Sequence, residues 1–252
     1  GTYHMSDNIN FNLLKAYRLE KSRFIMPYKF ALDEINTKIN ILKEEFSYLH
    51  DYNPIEHVNS RLKSIESIIK KVSRKKIDPS LQSIKKEILD IAGVRITCSF
   101  ISDIYKLKNM LESQQDIEVI AYKDYIKNPK PNGYRSLHLL VKIPISLSDR
   151  VEMVPVEIQI RTIAMDFWAS LEHKIFYKYN KDIPKELLDE LKDAATTSYE
   201  LDVRMEHLND KIDAFKQIDQ QEAEDIYQSA ESDTRMLIRQ IIQPTERNKK
   251  DE

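Results

Sequence analysis

The chain has 252 residues, 41% of them apolar and 32% charged, with a formal net charge of −2. That length can bury a core, and the charge balance argues against a protein that coats nucleic acid. No run approaches the roughly 20 apolar residues of a membrane-spanning helix, no signal peptide opens the chain, and a lone cysteine, Cys98, excludes an intrachain disulfide framework and fits a reducing, cytoplasmic setting.

Gly1–His4 read as an expression scar, with Met5 as the natural start. A helix is predicted from about residue 8 to 49, because Ile25, Tyr28, Leu32, Ile35, Ile39, Leu42, Phe46 and Leu49 recur at alternating spacings of three and four. After a turn at Asp51–Pro54, a second helix is expected over Ile55–Arg74, and Pro79 opens a third that ends near Ala92. The period then changes. Gly93–Phe100 is rich in β-branched residues and reads as a strand, with Cys98 a small buried hydrophobe within it. Ser102 caps a helix through Gln115, and Ile117–Lys123 is a second strand. A polar loop over Asp124–Ser136 leads to strands Leu137–Ile143 and Val151–Ile160, joined by a Ser-Leu-Ser-Asp turn. The remainder reads as helix over about 162–178, 184–216 and 220–242, with a charged, disordered end at Glu246–Glu252. The class is α+β, with at least four strands and one inserted helix between helical regions. No glycine-rich phosphate loop is present, so a nucleotide enzyme of this kind must hold phosphates with side chains and metal.

Four segments carry chemistry. On the second predicted helix, Lys63, Ser67, Lys70 and Arg74 form a cationic stripe with Arg61 near its start, suited to a polyphosphate or equally to a solvated face. In Asp90-Ile-Ala-Gly-Val-Arg-Ile96, Asp90 sits at a helix–strand junction as a magnesium ligand or as the ion-pair partner of Arg95. Along Val156–Arg161, alternation sets Val156, Ile158 and Ile160 on one face and Glu157, Gln159 and Arg161 on the other, which suggests a wet cleft or a solvated sheet face. There Glu157 could bind metal, accept a proton, or do both. The loop Lys123–His138 is long for a compact domain and combines Lys123, Lys127, Lys130 and Arg135 with Tyr125 and Tyr134, the elements of phosphate and base recognition. Outside the scar the only glycines are Gly93 and Gly133, and both fall in these segments.

In this order, R-x-K-x-x-x-S-x-x-K, D-x-x-G-x-R, N-G-Y-R-S-x-H and V-E-I-Q-I-R-T resemble the synthetase domain of the RelA/SpoT family, over roughly residues 55 to 180. The resemblance implies a mixed sheet of nucleotidyltransferase type. It also implies transfer of the β,γ-pyrophosphate of ATP to the 3′-hydroxyl of GDP or GTP, with release of AMP. It implies Mg²⁺ held by Asp90 and Glu157, with Glu157 the base. Arg61, Lys63, Ser67 and Lys70 would hold the ATP phosphates, and Arg61 and Arg95 would sandwich adenine. Tyr134 would stack on guanine, Lys130, Arg135 and His138 would serve the phosphate side, and Gln159 would orient ribose or phosphate. Asp166, near the start of the next helix, is expected either to accept both donors of the guanine edge or to sit there for the helix dipole alone.

Expected divisions are the scar at 1–4, an N-terminal helical region at 5–54, the synthetase domain at 55–180 and a C-terminal helical oligomerisation region at 181–252. The short N-terminal region and the lone His50-Asp51 dipeptide suggest synthesis without a hydrolase domain. The long C-terminal helices favour the RelP branch of small alarmone synthetases over RelQ. Leu187, Leu191, Ala194, Ser198, Leu201, Met205, Leu208, Ile212 and Phe215 keep a four–three alternation that suggests a coiled-coil-like seam, or packing against the first helix. Similarity to small alarmone synthetases implies a homotetramer. Alternatives are an adenosine-nucleotide or tRNA-end acceptor, a non-catalytic nucleotide or RNA sensor, and a helical scaffold; RNA binding is open but not indicated.

Overall fold

Period-two runs of β-branched and aliphatic residues build the centre of the chain. In the computed structural model, which describes residues 2–50, 52–179 and 182–242 with side chains from residue 11 on, they form one sheet. Its strands are β1 (Ile55–Leu62), β2 (Ala92–Cys98), β3 (Glu118–Asp124), β4 (Leu137–Ser146) and β5 (Val151–Thr162), in the order β1-β2-β5-β4-β3. Only the β2–β5 pair is parallel, so the sheet is mixed. The helices are α1 (Thr2–Leu49), α2 (Ile65–Lys75), α3 (Leu81–Glu87), α4 (Ile101–Glu112), α5 (Ile163–Lys178), α6 (Lys185–Ser229) and α7 (Ser232–Ile242). Gly1, Asp51 of the His-Asp dipeptide and the charged end Glu246–Glu252 lie outside the described residues.

The core explains why the sheet has one polar face. Leu139, Val141 and Ile143 of β4 and Val156, Ile158 and Ile160 of β5 are fully buried, in one cluster with Ile35 and Ile39 of α1 and Ile104 and Leu107 of α4. Burial of each such side chain stabilises by about 1.5–3 kcal/mol, and truncating one, as in Ile158→Ala, costs about 2–5 kcal/mol. The predicted stripe of α1 supplies this packing as far as Leu42, whereas Leu49 is exposed.

The region after the first turn departs from expectation. Ile55–Leu62 is a strand, not the first half of a helix, and α2 begins only at Ile65, with the Ser64 side chain accepting from the Ser67 N–H. As an edge strand with an irregularity between Ile55 and His57, β1 buries little and shows no alternation, so its identity comes from antiparallel pairing with β2. The cationic stripe is therefore split among β1 (Arg61), the link after it (Lys63) and α2 (Ser67, Lys70 and Arg74), and α2 buries Ile68. Helix α3 ends at Glu87, which leaves Asp90 on the extended link into β2. The expected Ser102 cap is replaced by Asp103, whose carboxylate accepts from the Phe100 N–H at 3.2 Å. Burial pushes the Cys98 thiol pKa up, as expected of a small hydrophobe.

The chain divides into two units, Gly1–Val203 and Arg204–Glu252. Within the first, the start of α6 is tied to the end of β5 and to α5. Trp168 Nε1 donates to the Leu191 carbonyl at 2.8 Å, Ser198 Oγ to that of Ala164 at 3.2 Å, and Thr162 Oγ1 to the buried Asp202 carboxylate at 2.7 Å. The inward face of α6 is thus Leu191, Ala195, Ser198 and Asp202, not the whole predicted seam. Leu187, Leu201, Met205, Leu208, Ile212 and Phe215 are exposed. No described helix is long and apolar enough to cross a membrane.

Candidate active site

Strand register assembles the polar face. Asn59, Arg95, Gln159, His138 and Lys123 lie opposite one another in a single row across all five strands. The row two residues away runs Arg61, Gly93, Glu157, Leu140, Ala121. Directly opposed residues share a face, so segments from both ends of the motif set meet here. A cleft of about 220 Å³ lined by Asn59, Arg61, Asp90, Arg95, Glu157 and Gln159 adjoins another of about 210 Å³ lined by Lys71, Lys75, Asp90, Lys123, His138 and Glu157. Asp90 and Glu157 border both. Gly93 keeps the floor low: a Cβ there would approach nothing nearer than 3.9 Å in the protein and would occupy the cleft instead.

The β1–α2 side is cationic. Lys63 Nζ donates to Asp90 Oδ2 at 2.8 Å and Lys71 Nζ to Oδ1 at 2.7 Å. Burial works to raise the Asp90 pKa, but the two ammonium groups together outweigh it and hold the carboxyl below its ordinary value. Arg95, the expected ion-pair alternative for Asp90, turns to Asp166 instead, at 3.4 Å. Lys71 was missed by sequence reasoning, and Lys70 does not reach the cleft: it is 76% exposed and pairs with Glu66 one turn back. On a helix that starts at Ile65, the face that buries Ile68 carries Lys71 one turn on, a signal visible only once the helix start is known. Ser67 lies in the first turn of α2, its N–H capped by Ser64 and its Oγ accepting from Ser64 Oγ at 2.9 Å.

The opposite side is aromatic and hydrogen-bonded. Tyr134 Oη contacts His138 Nε2 at 2.8 Å, and its ring meets His138 and Tyr125 edge-on. Lys130 Nζ lies 4.9 Å from the Tyr134 ring centroid. Arg161 Nη2 donates to Tyr134 Oη at 3.0 Å and to Gln159 Oε1 at 2.6 Å, and Gln159 Nε2 donates to Glu157 Oε1 at 2.7 Å. Desolvation first, then the cations Lys130, Arg161 and Lys123, bring the His138 pKa down to about 4, so the ring is neutral. Asp166 Oδ1 lies 3.4 Å from both Arg95 Nε and Arg161 Nη1. Arg135, expected on the phosphate side, stacks its guanidinium on the Tyr199 ring at 3.8 Å and donates to the Ile126 carbonyl at 2.8 Å, which ties the loop to α6. Gly133 makes that closeness possible: its φ is +97°, and a Cβ there would lie 2.6 Å from Ala195 Cβ. Arg161, to which no role was attached from sequence, is buried at the centre of this wall.

Two hard carboxylates beside a cation-rich flank fit a divalent metal that shares its shell with phosphate oxygens and water. Among the described residues no group of three or more His, Cys, Asp or Glu side chains converges, so such a metal could not be caged by protein alone.

Residues 60–182 match the family described as "Region found in RelA / SpoT proteins". The chain is 51% identical over 210 residues to the GTP pyrophosphokinase YwaC of Bacillus subtilis, covering 83% of this chain and 97% of that protein. It is similar to the crystal structure of small alarmone synthetase 2 from Bacillus subtilis, with a TM-score of 0.68 and 53% identity over 74% of this chain and 96% of that one. Small alarmone synthetase 1 from the same organism, bound to its product pppGpp, gives a TM-score of 0.71 at 38% identity over 77% of this chain and 98% of that one.

Proposed function

The chain belongs to the RelA/SpoT family, and on that premise we propose that its cleft transfers the β,γ-pyrophosphate of ATP to the 3′-hydroxyl of GDP or GTP, releasing AMP. The observation that carries the reading is the placement of Asp90 and Glu157 on one cleft between a cationic flank and an aromatic, hydrogen-bonding wall.

The cationic flank takes ATP. Arg61 and Arg95, diagonal neighbours on the sheet face, offer guanidinium planes to adenine, while Lys63, Ser67 and Lys71, in place of Lys70, hold the phosphates. Asp90 and Glu157 would hold Mg²⁺, which when bound supplies neutralisation of the charge on the phosphate oxygens. The opposite wall takes the acceptor: Tyr134 offers its ring to guanine, Lys130 serves the phosphates, and Asp166, only loosely paired, accepts from the guanine edge. Glu157, oriented through Oε1 by Gln159, accepts the proton of the 3′-hydroxyl as its oxygen attacks the β-phosphorus. Transfer of this kind depends on positioning and charge more than on covalent chemistry.

The synthetase domain is assigned to 55–180, the N-terminal helical region to 5–54 and an oligomerisation region to 181–252. Exposure of Leu201, Met205, Leu208, Ile212 and Phe215 supports self-association, as a homotetramer, and the 45-residue length of α6 supports the RelP branch; the setting proposed for the reaction is a cytoplasmic enzyme of stress signalling. Anion-exchange chromatography after incubation with ATP, Mg²⁺ and GDP, GTP or ADP tests the reaction. AMP should appear with ppGpp or pppGpp and vanish in Glu157→Gln. Equal use of ADP would overturn the guanine reading, and no AMP with any acceptor would overturn the reaction.

A further inference from the structure

We propose that Arg161 is a positioning residue, a buried donor-only hub that sets the direction of each hydrogen bond along the acceptor wall from Glu157 to His138. This rests on the reading that the Tyr134 wall receives the acceptor nucleoside.

The side chain of Arg161 is only 4% exposed, yet its one ion pair among the described residues, Nη1 to Asp166 Oδ1, is its longest bond. Its carboxylate neighbour, Asp166, stands off at 3.4 Å, and its buried Nε has no hydrogen-bond partner among the described residues. Its two short bonds, at 2.6 and 3.0 Å, go instead to neutral acceptors, Gln159 Oε1 and Tyr134 Oη. A guanidinium buried for stability alone is often matched or bettered by an apolar side chain of similar volume, so its placement calls for another role.

That role follows from what a guanidinium cannot do. It has donors and no acceptor, so every group that bonds it must present an oxygen lone pair. Gln159 must therefore turn Oε1 to Arg161, and its NH₂ is left facing Glu157 Oε1 at 2.7 Å. Were the amide reversed, a carbonyl would face the carboxylate and push it out of place. Tyr134 Oη, with one lone pair taken up by Arg161 Nη2, has its own proton free for His138 Nε2 at 2.8 Å, where we place it. In that arrangement His138 is the neutral tautomer protonated at Nδ1, in keeping with the lowered pKa of that ring. One side chain thus orders a chain of bonds, Glu157 from Gln159 from Arg161 to Tyr134 to His138, before any nucleotide arrives. Preorganisation of this sort removes reorientation from the reaction.

Side-chain ¹⁵N NMR of the histidines, with the His138 signal identified by its loss in His138→Gln, tests the ordering without reference to catalysis. The wild type should show His138 protonated at Nδ1 alone, and Tyr134→Phe and Arg161→Met should each give a mixture of tautomers. Kinetics should separate the substrates: Arg161→Lys should lower kcat/KM for GDP about 100-fold and leave KM for ATP within about threefold. Tyr134→Phe keeps the buried arginine and serves should Arg161→Met fail to fold. Protonation of wild-type His138 at Nε2, or a rise of both KM values in step with loss of folded protein, would overturn the hub. Failure of GDP to act as acceptor in the wild type would strike the functional reading alone, since the tautomer decides the hub by itself.

Discussion

The two halves of the cleft solve recognition differently. On the β1–α2 side the cations stand on an edge strand, the link after it and a short helix, with Arg61 exposed and Lys63 and Lys71 meeting in the carboxylate of Asp90. On the other side Tyr134, His138, Gln159 and Arg161 are locked to one another and to a loop clamped by α6. A polyphosphate is recognised by charge, which acts at a distance and tolerates mobile side chains. A base and a ribose hydroxyl are recognised by shape and hydrogen-bond direction, which fail if a group is misplaced by an ångström.

The largest effect should come from the group the halves share. Asp90→Asn should lower kcat by about 10³-fold, since it removes one of the two carboxylates proposed to hold Mg²⁺, a role worth several kcal/mol, and leaves two lysines facing each other. Steady-state rates at saturating ATP and GDP check this, and a loss below tenfold would detach Asp90 from the chemistry. Next, Lys71→Met should reduce kcat/KM for ATP by about 30- to 100-fold, while Lys70→Met stays within about twofold. Equal losses would mean that the exposed Lys70 reaches the phosphates after all.

The two glycines sharpen the contrast through stability. Gly133→Ala forces a Cβ to 2.6 Å from Ala195 Cβ at a positive φ, and should cost about 2–3 kcal/mol in a chemical melt together with a raised KM for the acceptor. Gly93→Ala meets nothing closer than 3.9 Å and should melt like the wild type while losing activity, because the methyl fills the floor between Arg61 and Glu157. The smallest effect is acid destabilisation. His138 has a folded pKa of about 4 against an ordinary value of 6.5, so its contribution is present above pH 6.5 and is lost as the pH falls through about 4. The share lost by about pH 5.5 is about 1 kcal/mol, and it should be absent from His138→Gln in melts across that range.

Alternation along Val156–Arg161 placed Glu157 and Gln159 on the polar face, and the three–four stripe of α1 named the helical side of the core as far as Leu42. Both are local periodicities set by backbone geometry, so a single sequence displays them. The edge strand β1, the exchange of Lys70 for Lys71 and the turning of Arg135 onto Tyr199 were not legible in that way. Each depends on a partner distant in the chain: β2 for β1, Asp90 for Lys71, α6 for Arg135. Motif order and spacing thus determined by themselves which residue types were present, with cations, carboxylates and aromatic rings in one order along the chain. Only the tertiary structure decided which of two adjacent lysines meets the carboxylate and which arginine is buried as a hub, because side-chain direction at a helix start or a loop is set by packing across the fold rather than by neighbours in sequence.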